Sequence, residues 1–81
     1  MSAIRFVYNG NGRLLYEGPP NGTKIDGYTG NVKITDYSPM GTEFLKVRES
    51  EARCKDGALG DPILFREILL NREELRRALR R

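Results

Sequence analysis

The distribution of glycine divides this 81-residue chain into two parts with different structural preferences. All nine glycines and three of the four prolines lie before residue 61. Because glycine and proline favour turns and interrupt helices, the first sixty residues predict short strands joined by turns, and the glycine-free residues 61–81 predict a helix. We therefore expect a single α+β domain, with a small antiparallel sheet of four to five strands followed by one C-terminal helix.

The strongest local pattern is a β-hairpin near the start of the chain. Residues 4–8 and 13–17 alternate in hydrophobicity on either side of the sequence NGNG at residues 9–12. Asparagine and glycine tolerate the positive φ of tight hairpin turns, so NGNG predicts the turn. In this hairpin, Val7 is expected to lie on the same face as Leu14.

The residues that follow predict an irregular loop and a second hairpin. Residues 18–30 hold four glycines and two prolines, which predicts a long glycine-rich loop that Ile25 and Tyr28 could anchor to the sheet. Residues 31–48 contain a second pair of alternating segments and predict two further strands. Residues 49–55 are polar and predict a weak edge strand.

The last part of the chain combines a helix start with an interruption. Asp61 and Pro62 suit the N-cap and the first helical position. An apolar stripe at helical spacing follows at Leu64, Phe65, Ile68 and Leu69. Asn71 and Glu74 then have the spacing of a capping box. The pattern predicts either one helix from residue 62 to about residue 80 or two helices that meet at Asn71. We favour one helix, because a single asparagine costs little in a helix interior.

The side-chain inventory argues against catalysis. The chain has no histidine and a single cysteine, Cys54, so the common zinc, copper and iron sites lack their ligands. Activation of a nucleophile by histidine is excluded for the same reason. A domain of this size also offers little interior in which the pKa values of carboxylate, lysine or tyrosine groups could be shifted toward neutrality. We therefore expect no enzymatic activity, no cofactor and no metal site.

Cysteine use and hydropathy predict the compartment. A lone Cys54 cannot form an internal disulfide, and the chain shows neither a secretory signal nor an apolar run long enough to span a membrane. We expect a cytoplasmic protein that does not insert into membranes.

One short motif resembles a ligand-binding signature. Asp36, Ser38 and Gly41 form D-x-S-x-x-G at the junction of two predicted strands. The motif resembles the second signature of the PilZ family, small β domains that bind cyclic di-GMP, over about residues 30–47. The resemblance implies that Asp36 and Ser38 contact the guanine and the phosphate region. The family's arginine pair, R-x-x-x-R, occurs in this chain only after residue 71.

The same residues also predict a simple turn. The sequence SPMG at residues 38–41 places serine, proline and glycine at favoured positions of a β-turn. Asp36 and Ser38 could then accept hydrogen bonds from the nearby backbone and stabilise the hairpin. We favour this explanation of the motif over a ligand site.

Positive charge is concentrated at the end of the chain. The net charge is +3, and residues 75–81 hold four arginines and no acidic residue, while the rest of the chain carries ten basic and eleven acidic side chains. Arginine near a helix C-terminus is favoured by the helix dipole, which is the simpler explanation. The candidate residues of a docking patch for phosphate or an acidic protein surface are Arg72, Arg76, Arg77, Arg80 and Arg81.

Three hypotheses of function remain, in order of preference. The first is a small non-catalytic protein that binds another protein through its surface and acts as a regulator, inhibitor or accessory subunit. A phage inhibitor of a bacterial complex is one example. The chain could also form a homodimer. The second is nucleic-acid binding through the arginine-rich helix, although the first sixty residues, with eight basic and seven acidic side chains, give no broad basic face. The third is PilZ-like binding of a cyclic dinucleotide at Asp36, Ser38 and Gly41.

Overall fold

A computed structural model describes residues 3–79, which form one antiparallel sheet and a C-terminal helix. The strands are β1 (Ile4–Tyr8), β2 (Leu14–Gly18), β3 (Gly30–Met40), β4 (Phe44–Lys55), β5 (Ala58–Leu59) and β6 (Ile63–Asn71), and the helix is α1 (Arg72–Leu79). This architecture confirms the α+β class, with six strands where four to five were expected. No helix in residues 3–79 is long and apolar enough to cross a membrane.

The strand β4 is the centre of the sheet. The sheet order is β2-β1-β3-β4, and the far side of β4 pairs with β6 along residues 44–51 and with β5 at residues 54–55. The prediction of a weak edge strand over residues 49–55 is therefore wrong. The alternating polar residues concealed a buried face, because Ser50, Ala52 and Cys54 all point into the interior while the residues between them do not.

One face of the sheet, which we call the core face, carries the buried apolar residues. Its cross-strand neighbours include Val7 with Ile34 and Val32 with Ala52. The opposite face, which we call the second face, carries Tyr37, Val47 and Ile68 in one row across β3, β4 and β6. Both faces follow from the period of two along each strand.

The glycine-rich loop covers the core face as expected. Ile25 is buried in the core, and Tyr28 packs against it. The Ile25 N–H donates to the Gly57 carbonyl at 2.9 Å, and the Gly57 N–H donates to the Tyr28 carbonyl at 2.9 Å. Gly57 has φ of 87°, and a Cβ there would lie 2.7 Å from the Ile25 carbonyl oxygen. Only glycine permits this close approach.

The first hairpin forms with a change in register. The Asn9 side-chain oxygen accepts hydrogen bonds from the N–H groups of Asn11 and Arg13, both at 2.9 Å, which confirms the turn. Val7 pairs with Tyr16, but Tyr8 pairs with Leu14, so a β-bulge interrupts the ladder. Leu14 is consequently exposed and does not share the face of Val7.

The long C-terminal helix was the main error of the sequence-based prediction. Residues 63–71 form the strand β6, so Asp61 and Pro62 precede a strand and do not begin a helix. β6 supplies hydrogen-bond partners to the half of β4 at residues 44–51, which would otherwise be an open edge. If residues 63–71 were helical, that edge of β4 would stay unpaired. The hydrogen bonds gained by pairing β6 with β4 therefore outweigh the helical spacing of the apolar residues.

The helix begins at the interruption that the sequence predicted. The Asn71 side-chain oxygen accepts hydrogen bonds from the N–H of Glu73 at 2.9 Å and of Glu74 at 3.3 Å. These are the bonds of an N-cap. The Arg72 N–H donates to the Glu43 carbonyl at 2.8 Å, which ties the first turn of α1 to the β3–β4 turn.

Candidate functional site

Asp36 of the D-x-S-x-x-G motif is held by an arginine from another strand. The Nε of Arg5 donates to Oδ1 of Asp36 at 2.8 Å, and Nη2 donates to Oδ2 at 2.9 Å. The side chains are only 15% and 18% exposed. Each oxygen of the Asp36 carboxylate therefore already accepts one charge-assisted hydrogen bond from within the chain.

Arg5 also connects the sheet to the glycine-rich loop. Its Nη1 lies 3.3 Å from the Thr23 hydroxyl and 3.5 Å from the Pro20 carbonyl oxygen. The hydrogen bond with Asp36 raises the pKa of Arg5, while burial acts in the opposite direction. The guanidinium thus stays charged and joins β1, β3 and the loop. Sequence analysis missed this role because the two residues are 31 positions apart.

The Arg5–Asp36 pair belongs to a row of alternating charges on the core face. Arg5, Asp36, Arg48 and Glu67 are successive cross-strand neighbours on β1, β3, β4 and β6. Arg48 Nε lies 3.1 Å from Glu67 Oε2, in a more exposed setting than the first pair. Opposite charges facing each other across strands stabilise the register of a sheet.

The rest of the motif lies on a longer hairpin than expected. Ser38 pairs with Lys46 and Met40 pairs with Phe44, so the strands continue through the predicted turn. The turn itself is formed by residues 41–43, with Gly41 at φ of 66°. The predicted β-turn at residues 38–41 is wrong, because the β3–β4 ladder extends beyond it.

The described arginines of the tail do not form a single free patch. Arg76 and Arg77 both approach Glu73, at 3.6 and 3.9 Å, in exposed pairs within the helix. The Nε of Arg72 is buried and has no hydrogen-bond partner among the described residues. Arg80 and Arg81 lie outside the described residues.

The strand β6 has apolar side chains that the fold leaves uncovered. None of its nine residues is buried, and Ile63 is 74% exposed while Phe65 and Leu69 are each 54% exposed. Leu64 and Leu69 lie on the core face, whereas Ile63 and Ile68 lie on the second face. A strand that is apolar on both faces is typical of a strand covered on both sides. In residues 3–79, only β4 pairs with β6, so its outer edge is open.

The helix continues this apolar surface. Leu75 and Leu79 are 37% and 76% exposed, and with Leu45 they line a groove of about 270 Å³ that is bordered by Arg72 and Arg76. Complete burial of one such leucine contributes about 1.5–3 kcal/mol. We call the exposed set the β6–α1 surface; it consists of Ile63, Leu64, Phe65, Ile68, Leu69, Leu75 and Leu79.

No protein-family model matches the chain, and comparisons with curated proteins and with solved structures likewise found no match. Function therefore has to be inferred from the geometry and chemistry of the surface.

Proposed function

We propose that this protein is a small non-catalytic regulator, inhibitor or accessory subunit that binds another protein through the β6–α1 surface. The observation that supports this proposal is the strand β6, which is apolar on both faces and unpaired along its outer edge within the described residues. Apolar surface of this extent marks interaction sites, and an open apolar edge strand is otherwise prone to aggregation.

The surface offers two kinds of interaction to a partner. The open backbone of β6 can accept an additional strand through main-chain hydrogen bonds, which is the mode called β-augmentation. The flanking leucine, isoleucine and phenylalanine side chains can supply the apolar contacts that give such an interface its affinity.

The charges on β6 oppose binding less than isolated charges would, because they are already paired within the chain. Arg66 lies 3.5 Å from Glu49, and Glu67 lies 3.1 Å from Arg48. A partner that covers this strand does not have to neutralise an isolated charge, which would carry a large desolvation penalty.

The two alternative functions have weaker support. A cyclic dinucleotide at the D-x-S-x-x-G motif would have to compete with Arg5 for Asp36. A nucleic acid at the helix would have to compete with Glu73 for Arg76 and Arg77, although such exposed pairs are weak. Both hypotheses lead to direct binding tests.

A pair of matched leucine variants tests the proposal. Leu64 on β6 and Leu14 on β2 are each 45% exposed but lie on opposite edge strands. We expect that the wild type and Leu14→Asp retain a stoichiometric partner in affinity capture and that Leu64→Asp loses it. The recovered partner, added back to the purified protein, should slow amide hydrogen exchange along residues 63–71. The proposal would be overturned if all three proteins retained the partner, or if the partner slowed amide hydrogen exchange only outside residues 63–71.

A further inference from the structure

The β6–α1 surface is suited to a particular occupant. We infer that a second copy of this chain covers it, in a two-fold symmetric dimer in which the two β6 strands pair antiparallel. This inference rests on the proposed function, because it assigns the same surface as a protein-binding site and names its first partner.

The two ends of the surface complement each other. Ile63 and Phe65 are exposed at the start of β6, while Leu75 and Leu79 are exposed just beyond its end. In an antiparallel pair related by a two-fold axis, the start of one strand lies beside the end of the other. Each apolar end therefore meets the opposite end of the second copy, and the contact occurs twice.

Both ends also lie on the same side of the sheet. Ile63 pairs with Glu51 and Leu70 pairs with Leu45, and these positions of β4 share the second face. The groove of α1 contains Leu45, so it opens on that face too. A two-fold axis perpendicular to the sheet keeps the second faces of both copies on the same side of the dimer. Ile63 of one copy can then contact the α1 groove of the other.

The charges around the two ends are of opposite sign. Asp61, Glu51 and Arg53 line a hollow beside Ile63, so acidic groups outnumber basic groups there by one, since Asn31, which accepts a hydrogen bond from Arg53 at 3.4 Å, is neutral. Arg72 and Arg76 border the groove at Leu75 and Leu79, and the exposed pairing of Arg76 with Glu73 at 3.6 Å still leaves the border positive. The two-fold arrangement places the acidic end of one copy beside the arginine-bordered end of the other. This complementarity favours a second copy over an unrelated apolar protein.

The size of the molecule is sufficient for such an interface. It measures 40 × 24 × 21 Å, and the twelve residues of β4 at about 3.3 Å each account for the longest dimension. β6 spans about 30 Å at about 3.3 Å per residue, so with a breadth of roughly 20 Å its side offers about 600 Å², and α1 adds to this toward the ~800 Å² that each partner contributes to a standard interface.

The small core gives the chain a reason to dimerise. Within residues 3–79, seven apolar residues are buried, whereas nine large hydrophobic residues are exposed. Chains of this length often obtain additional burial by oligomerisation. A dimer through β6 would cover the exposed apolar side chains of the second face at both ends of the strand, Ile63 at one end and Leu75 and Leu79 at the other.

Sedimentation or light scattering of the purified full chain over a wide concentration range tests the inference. We expect a dimer for the wild type and for Leu14→Asp, and a monomer for Ile63→Asp. A wild type that stays monomeric at every concentration, or an Ile63→Asp variant that dimerises like the wild type, would overturn it.

A charge exchange tests the geometry without removing apolar surface. Arg76→Glu and Asp61→Arg should each raise the dimer dissociation constant roughly tenfold, because each introduces a repulsive contact twice. The two changes combined should restore it to within about threefold, since the charges then attract again. Failure of the combined variant to recover would contradict the proposed pairing.

The outcome separates this inference from the proposed function. A monomeric wild type that still loses a captured partner on Leu64→Asp would overturn the dimer and leave the proposed function standing. A dimer that is lost on Ile63→Asp, in a protein that captures no other chain, would support the dimer and contradict the role as a regulator of another protein.

Discussion

Arg5 and Asp36 form a two-pronged ion pair between β1 and β3, with donor–acceptor distances of 2.8 and 2.9 Å. The pair joins strands that are far apart in sequence, and Arg5 extends the connection to the loop through Thr23. The aspartate that the sequence motif marked as a ligand residue thus has a structural partner within the chain.

The first prediction concerns the stability that this pair contributes. Asp36→Ala leaves the mostly buried guanidinium of Arg5 without its charged acceptor and with only the neutral oxygens of Thr23 and Pro20, so we expect the free energy of unfolding to fall by about 2–3 kcal/mol. Glu67→Ala removes the more exposed pair with Arg48 and should cost less than about 1 kcal/mol. Urea denaturation measures both values. Equal losses in the two variants would show that the burial of the first pair does not matter.

A second prediction follows for cyclic di-GMP. Because both oxygens of Asp36 are bonded to Arg5, we expect no heat of binding when the nucleotide is titrated into the wild type. Ser38 and Gly41 alone provide no charged group for a phosphate. Heat that appears in the wild type and disappears in Asp36→Ala would instead establish the ligand site that the motif resembles.

A third prediction concerns the start of α1. Asn71→Ala removes the acceptor for the N–H groups of Glu73 and Glu74, so the free energy of unfolding should fall by about 1 kcal/mol and the helical signal of residues 72–79 should weaken. Asn71→Asp, which retains a capping oxygen, is the control and should resemble the wild type. If the alanine variant is as helical as the aspartate variant, the cap is not needed.

A fourth prediction isolates the close approach at Gly57. Gly57→Ala places a Cβ against the Ile25 carbonyl oxygen, whereas Gly22→Ala meets a similar positive φ with open space around it. Both variants should lose about 1 kcal/mol for the left-handed conformation. Gly57→Ala should lose at least a further ~1 kcal/mol because the loop must shift. Matching melting temperatures for the two variants would argue against a tight contact.

A fifth prediction addresses nucleic acid. Because Arg76 and Arg77 share Glu73 and the first sixty residues are balanced in charge, we expect only weak binding of a labelled duplex or single strand near physiological salt. Strong binding that weakens with added salt, and that is lost when Arg76, Arg77, Arg80 and Arg81 are replaced by alanine, would revive the second hypothesis.

Local chemistry made several parts of the fold predictable from sequence. The NGNG turn and the cap at Asn71 depend on side-chain bonds to backbone groups only a few residues away. The anchoring role of Ile25 followed from an apolar residue in a polar loop. In each case the determining interaction lies close to the residue that signals it.

Long-range pairing decided the parts that the sequence could not predict. The residues of β6 have helical spacing, but pairing with β4 turns them into a strand with apolar side chains on both faces. The sequence predicted an arginine-rich helix of about twenty residues, whereas the structure has a short helix that follows an open strand. The candidate site therefore moved from the arginines to Ile63, Phe65 and Leu69, whose exposure depends on the sheet.

The most direct test of the account is amide hydrogen exchange along the two edge strands, in the dilute chain and in its associated state. We predict that residues 63–71 of β6 become protected on association, whether with a second copy or with another protein, while residues 14–18 of β2 exchange at an unchanged rate. Protection confined to β2, or association that leaves β6 exchanging as in the dilute chain, would contradict the assignment of the β6–α1 surface as the binding site.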